Sequence, residues 1–167
     1  MGDKMEYISS DTNVWIDFLV IGKEELPFKL SYTYIMYTEA IEDEFLNPKN
    51  FKHNLLRLGL QKVEIDDTEL LLTIEYSKYK RLSKYDKIAL AIAKNRKITL
   101  LTGDKHLRLA AETEHVTVIG TLGILDELYK KHHISKEEYK ECLNKFKEYN
   151  GIKIRLPVTE IEIRLNS

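Results

Sequence analysis

Two hydrophobic periodicities alternate along the chain. Short apolar runs at Tyr7–Ser10, Phe28–Tyr32, Gln61–Ile65, Ile98–Leu101 and Val116–Ile119 have the length of β-strands. Between them, apolar positions recur three and four residues apart, as on one face of a helix. Val14, Trp15 and Phe18 mark such a face in a helix expected over Thr12–Leu19. A second is expected over Tyr34–Phe45, and a third over Phe51–Leu58 between an Asn50 cap and Gly59. Thr68–Lys80 follows Asp66-Asp67, either of which can cap it. Ser83-Lys84-Tyr85-Asp86 has a capping-box pattern ahead of the small-residue run Ile88–Ala93. Lys105–Glu112 and Gly120–Lys131 read as further helices, and Ser135 with Glu138 opens one that reaches Tyr149.

The resulting order, βαβαβαβαβα, predicts an α/β fold: a three-layer sandwich around a parallel sheet with right-handed crossovers. Ile98–Leu101 is unbroken in its apolar character, as expected of a strand covered on both faces. The tail has two readings. Ile152, Ile154 and Leu156 alternate like a strand, whereas Pro157 followed by Val158, Ile161 and Leu165 suits a short helix.

Length and composition narrow the class. At 167 residues with 43% hydrophobic content, the chain can bury one good core but not two ordinary domains. We expect residues 1–131 to form the main domain and 132–167 an extension packed on it. No apolar run reaches the roughly 20 residues of a membrane span, and the N-terminus lacks a basic-then-apolar signal, which points to a cytoplasmic protein without membrane association. Cys142 is alone, so no internal disulfide forms, and it reads as a buried helix cysteine. The net charge is only -1, but its distribution is uneven. Lys78–Arg108 holds ten Lys or Arg against two acids, Asp86 and Asp104, a local balance of +8.

Those two acids acquire meaning beside Asp11, which ends the first strand. In an open α/β sheet, ligands bind in the crevice outside the carboxyl ends of the strands. Asp104 leaves the fourth strand, and Glu39 and Asp86 lie in helices starting near the same edge. Singly, each has an ordinary explanation: Asp86 as a helix cap, Asp104 as a Gly-Asp turn, Glu39 as a solvated helix residue. Together, four carboxylates at one edge repel one another unless a divalent cation binds or their pKa values move. An all-oxygen set suits Mg²⁺ or Mn²⁺. Zinc would call for histidine or cysteine spacing that is absent, and His106, His132 and His133 read as surface residues.

At this point the chain resembles the PIN-domain ribonucleases, which include the VapC-type toxins. Ile8-Ser9-Ser10-Asp11-Thr12-Asn13 looks like the family's first strand and turn. Thr38-Glu39-Ala40 looks like its second acid, Leu82-Ser83-Lys84-Tyr85-Asp86-Lys87-Ile88-Ala89-Leu90-Ala91 its third, and Leu101-Thr102-Gly103-Asp104 its fourth. The resemblance implies a five-stranded sheet ordered 3-2-1-4-5, with Asp11 meeting Asp104 where the strand order reverses. Val118–Leu125, Arg155-Leu156-Pro157 and Glu160-Ile161 are similar to a longer PIN subgroup described as nucleic-acid-binding, a departure from the compact toxin pattern.

The expected activity is metal-dependent hydrolysis of phosphodiester bonds in single-stranded RNA. Asp11, Glu39, Asp86 and Asp104 would hold Mg²⁺ or Mn²⁺. Asn13 and Thr102 would orient a water or a carboxylate, Lys84, Lys87, Lys105 and Arg108 would steer the phosphate backbone, and Tyr85 is a candidate for base stacking. An antitoxin is the implied partner if the protein is a toxin, and the amphipathic C-terminal extension invites a homodimer or partner contact. Two rivals stand. One is a PIN-like domain that binds RNA or protein without cutting. The other is a phosphatase of the haloacid-dehalogenase type, whose Asp-x-Asp loop Asp11-Thr12-Asn13-Val14 partly resembles, with Asn13 where the general acid would stand.

Overall fold

The computed structural model describes residues 6–167. Strands β1 (Glu6–Ser10), β2 (Tyr32–Tyr37), β3 (Gln61–Val63), β4 (Thr99–Leu101) and β5 (Val118–Ile119) form one parallel sheet ordered 3-2-1-4-5. Helices α1 (Thr12–Val20), α2 (Thr38–Glu44), α3 (Phe51–Leu58), α4 (Asp67–Glu75), α5 (Lys84–Arg96), α6 (Lys105–Thr113), α7 (Thr121–Lys130), α8 (Lys136–Tyr149) and α9 (Val158–Leu165) complete the chain. The three-layer α/β arrangement and strand order expected from the sequence are those observed. Among the described residues no helix is long and apolar enough to cross a membrane.

Strand pleating divides the core between the two faces. Leu100 and Leu101, adjacent in β4 and both fully buried, point to opposite sides. Leu101, Ile8, Tyr34 and Met36 join the larger core, with Trp15 and Phe18 of α1, Leu125 and Leu128 of α7, and Leu143 and Phe146 of α8. Leu100 joins the smaller one, with Ala89–Ala91 of α5 and Leu107, Ala110 and Ala111 of α6. Small side chains let α5 lie close to the sheet, where Ser9 Oγ donates to the Ala89 carbonyl at 2.8 Å. Cys142 is buried in the larger core, which pushes its thiol up to about 11.

Several boundaries differ from expectation. The second strand is Tyr32–Tyr37, not Phe28–Tyr32, and α2 begins at Thr38 rather than Tyr34. Leu26–Lys29 is instead a 3₁₀ turn with Pro27 in its first positions, and Pro27 O accepts from the Tyr34 hydroxyl at 2.7 Å. Phe28 leaves the sheet to stack on Trp15, ring centroids 5.0 Å apart. Burial of Thr33–Met36 on both sides of the sheet hides the two-residue alternation that would mark a strand. The third and fifth strands are shorter than their apolar runs, and α4 stops at Glu75 before a 3₁₀ turn, Tyr76–Lys78. The tail is helical over Val158–Leu165. Upstream, Ile154 and Leu156 are buried without forming a strand, and a single bridge links Asn150 to Ile154.

Candidate active site

The carboxyl end of β1 is tied to β4 before any side chain acts. Ser10 pairs with Leu101, the Asp11 amide donates to Leu101 O at 2.9 Å, and the Thr102 amide donates to Ile119 O at 3.0 Å. This register sets Thr102 beside Asp11. The Thr102 hydroxyl donates to Asp11 Oδ2 at 2.8 Å and accepts from the Asp104 amide at 3.0 Å. Asp11 Oδ1 also accepts from the Thr12 amide at 2.7 Å, capping α1. Ser10 Oγ, held by the Trp15 indole, donates to Asp11 O at 2.9 Å.

Capping and clustering coincide in three acids. Asp104 caps α6 by accepting from the Leu107 amide at 2.8 Å. Asp86 completes a reciprocal box with Ser83, whose amide donates to Asp86 Oδ2 at 2.9 Å while Ser83 Oγ accepts from the Asp86 amide at 3.2 Å. The positive ends of α1, α5 and α6 therefore surround these carboxylates and favour their charge. Burial nevertheless pushes Asp11 up to about 7, aided by the Asp86 charge and then, more weakly, by Glu44, against the bonds from Thr102 and Thr12. Asp86 is also raised, first by burial and then, against its Ser83 bonds, by the Asp104 charge, while Lys87 lowers it.

The structure brings Asp11, Asp86 and Asp104 together and sets Glu39 apart. Glu39 is exposed, with Lys84 Nζ 3.4 Å from its carboxylate. The acid of α2 that bears on the cluster is Glu44, raised by burial and, against a bond from Thr12, by Asp86 and Asp43. At about 100° per residue, Glu44 points about 140° around the helix from Glu39. Glu42 is occupied by Lys52 at 2.7 Å and Lys62 at 2.9 Å. The acidic sequence Glu42-Asp43-Glu44 offers no mark separating them, and a helix begun four residues early obscured which side faces β1.

Beside Asp104 a cleft of about 640 Å³ runs past Asn13, Asp17 and Lys105 to the 151–155 segment. Asp17 is buried and bonded by the Thr121 hydroxyl at 2.7 Å, and burial pushes it up to about 6. Its only sign in the sequence is a charge interrupting an apolar run. Asn13 is exposed at the cleft, and His106 also lines it. Lys87, Lys105 and Arg108 form no ion pair among the described residues. Tyr85 donates its hydroxyl to Asp43, which with burial pushes the phenol up to about 12, and the residue lines the small pocket that also holds Asp11.

A parallel α/β sheet with acids near the point where its strand order reverses places the candidate site in the crevice where such folds bind ligands. A family model described as a PIN domain matches residues 7–164, and the chain belongs to the PIN-domain family. The match runs through the C-terminal segment to within α9. No curated protein and no solved structure gives a match.

PIN domains generally use divalent metals. Among the described residues no three acids, histidines or cysteines stand close enough together to hold a metal ion by themselves. The chemistry of the set still fits a hard cation: oxygen donors only, with Asp11 pushed up by burial and by the acid beside it. Mg²⁺ commonly keeps several waters and takes only one or two protein carboxylates together with substrate phosphate. An open group of acids suits that habit better than it suits a dehydrated ion.

Proposed function

We propose that this protein is a divalent-metal-dependent endoribonuclease that hydrolyses phosphodiester bonds of single-stranded RNA. The observation that carries the reading is the coupling of Asp11, Asp86 and Asp104 at the β1–β4 edge, with Asp11 buried and without an ion-pair partner among the described residues. In this reading those three acids hold Mg²⁺ or Mn²⁺, and Glu44 is the fourth carboxylate in place of Glu39. The bound ion supplies an activated water and neutralises charge developing on the phosphate. Thr102 keeps the Asp11 carboxylate and the Asp104 turn in fixed relation through its two hydrogen bonds. Lys87, Lys105 and Arg108 attract the phosphate backbone, and Asn13 faces the cleft where a water or phosphate oxygen would lie. A toxin role, with an antitoxin as protein partner, is compatible with this activity, as is a homodimer through the C-terminal extension.

The test uses labelled single-stranded RNA and p-nitrophenyl phosphate, each in Mn²⁺ and in EDTA. RNA cleavage is expected in Mn²⁺ only. Asp104→Asn should lower it at least about 100-fold, the scale of losing a group that stabilises transition-state charge. Glu44→Gln should also depress it strongly, while Glu39→Gln should stay within about threefold of wild type. Phosphatase turnover with intact RNA would overturn the assignment, and RNA binding without cleavage would favour a non-catalytic PIN-like domain.

A further inference from the structure

The cleft beside Asp104 has a second wall that the catalytic cluster does not account for. It is built by the turn after α8, where two basic residues flank a buried one. Ile154 is 3% exposed and sits in the larger core, and Leu156 is buried two positions on, so Lys153 and Arg155 face solvent by alternation. The turn is held in place at both ends. Gly151, at φ +85°, donates its amide to Ile154 O at 2.8 Å, and the Leu156 amide donates to Asn150 Oδ1 at 2.8 Å. A side chain at position 151 would strain that left-handed conformation.

Lys153, Arg155 and, across the cleft, Lys105 line the same space of about 640 Å³ and form no ion pair among the described residues. Some basic residues elsewhere are held by acids. Arg96 and Arg164 are each held by carboxylates at 2.8 Å, and Lys52 and Lys62 share Glu42. Three cations without ion-pair partners among the described residues, set around a cleft that Asp17 and Asp104 also line, suit a ligand carrying several phosphates that reaches Asp104.

We infer that Lys153 and Arg155 bind backbone phosphates of a single-stranded nucleic acid, making the C-terminal turn the wall of the substrate groove opposite Lys105. The inference rests on the nuclease reading for the direction of the strand toward Asp104, but its chemistry is separable from cleavage. The two cations act as phosphate-positioning residues, and Arg155 can present two donors to one phosphate.

The experiment measures binding of a fluorescein-labelled 12-nucleotide oligouridylate by anisotropy, in EDTA and in Ca²⁺, across about 50–200 mM KCl. Wild type, the double variant Lys153→Ala/Arg155→Ala and the control Lys145→Ala are compared, with thermal melts of each. Loss of two phosphate contacts should reduce the slope of log K against log salt by about 1.4 and weaken low-salt binding about tenfold, with the melting temperature and the control unchanged. A matched oligothymidylate arm separates RNA from DNA as the source of the phosphates. Unchanged affinity and slope in the double variant would overturn the inference, as would absence of oligonucleotide binding by wild type in both conditions. Displacement of the oligonucleotide by polyglutamate at equal charge would overturn it too, in favour of an acidic protein partner. Wild type that binds but never cleaves in Mn²⁺ would sink the nuclease reading alone.

Discussion

At the residue scale, Asp11 carries the conflict that defines the site. It closes β1, caps α1 and accepts from Thr102, yet it is only 7% exposed and faces the Asp86 charge. Its carboxyl rises from an ordinary 3.8 to about 7 on folding, chiefly through burial. The folded chain therefore holds more protons than the unfolded one between those values, and stability contributed by this group falls as pH rises through that window. We expect Asp11→Asn to be destabilising or neutral near pH 4. Relative to wild type it should gain up to about 4 kcal/mol by pH 8 in EDTA, with about 1 kcal/mol lost at every pH from the Thr102 bond. Urea denaturation at several pH values checks this, and a difference independent of pH would refute it. The identities of Asp11, Asp86 and Asp104 were legible because each stands at an element boundary, where capping patterns and turn residues show. Glu44 was not, since choosing it over Glu39 depends on the rotation of one helix about its axis.

At the scale of elements, β1 and β4 are joined by register, and α5 is held by clamps at both ends. Near the site, Ser83 and Asp86 cap its start and Ser9 bonds its Ala89 carbonyl. At the far end, Arg96 reaches the side chain of Glu69 at 2.8 Å, and Glu69 also completes the Asp66 capping box of α4. The Glu69 side chain is wholly buried, so removing its cation leaves a charge without compensation. Arg96→Ala should cost about 2–4 kcal/mol, somewhat under the loss for a fully buried pair because the guanidinium is partly exposed. A chemical denaturation midpoint would show it, and Glu69→Gln/Arg96→Met should recover much of the loss. The capping box of α5 was readable as sequence spacing, whereas for α4 the sequence left Asp66 and Asp67 as equal candidates and the structure selects Asp66. The Glu69–Arg96 clamp was not, because 27 residues separate its partners.

For the whole molecule, acids and bases are segregated around one edge of the sheet. Carboxylates crowd the end of β1 and β4, and basic residues without ion-pair partners among the described residues stand on α5, α6 and the 151–155 turn. A bound divalent ion should relieve the repulsion among the acids. In Mn²⁺ at about 100 times its dissociation constant, linkage predicts about 2.7 kcal/mol of added stability, a melting shift of about 5–10 °C. The shift should vanish in EDTA and be largely absent in Asp86→Asn, and a shift equal in wild type and variant would place the ion elsewhere. The sequence by itself determined the α/β class and the strand and helix order, and it placed Asp11, Asp86 and Asp104 at element ends. Those follow from period, capping and composition, which act over a few residues at a time. Tertiary structure alone decided that Phe28 leaves the sheet for Trp15, that Glu44 rather than Glu39 turns toward Asp86, and that Lys153 and Arg155 face Asp104 across a cleft. Each depends on how distant segments pack against a common sheet. At the end of β1, local patterning shows that Asp11 closes a strand, and only the paired register with β4 shows which groups surround it.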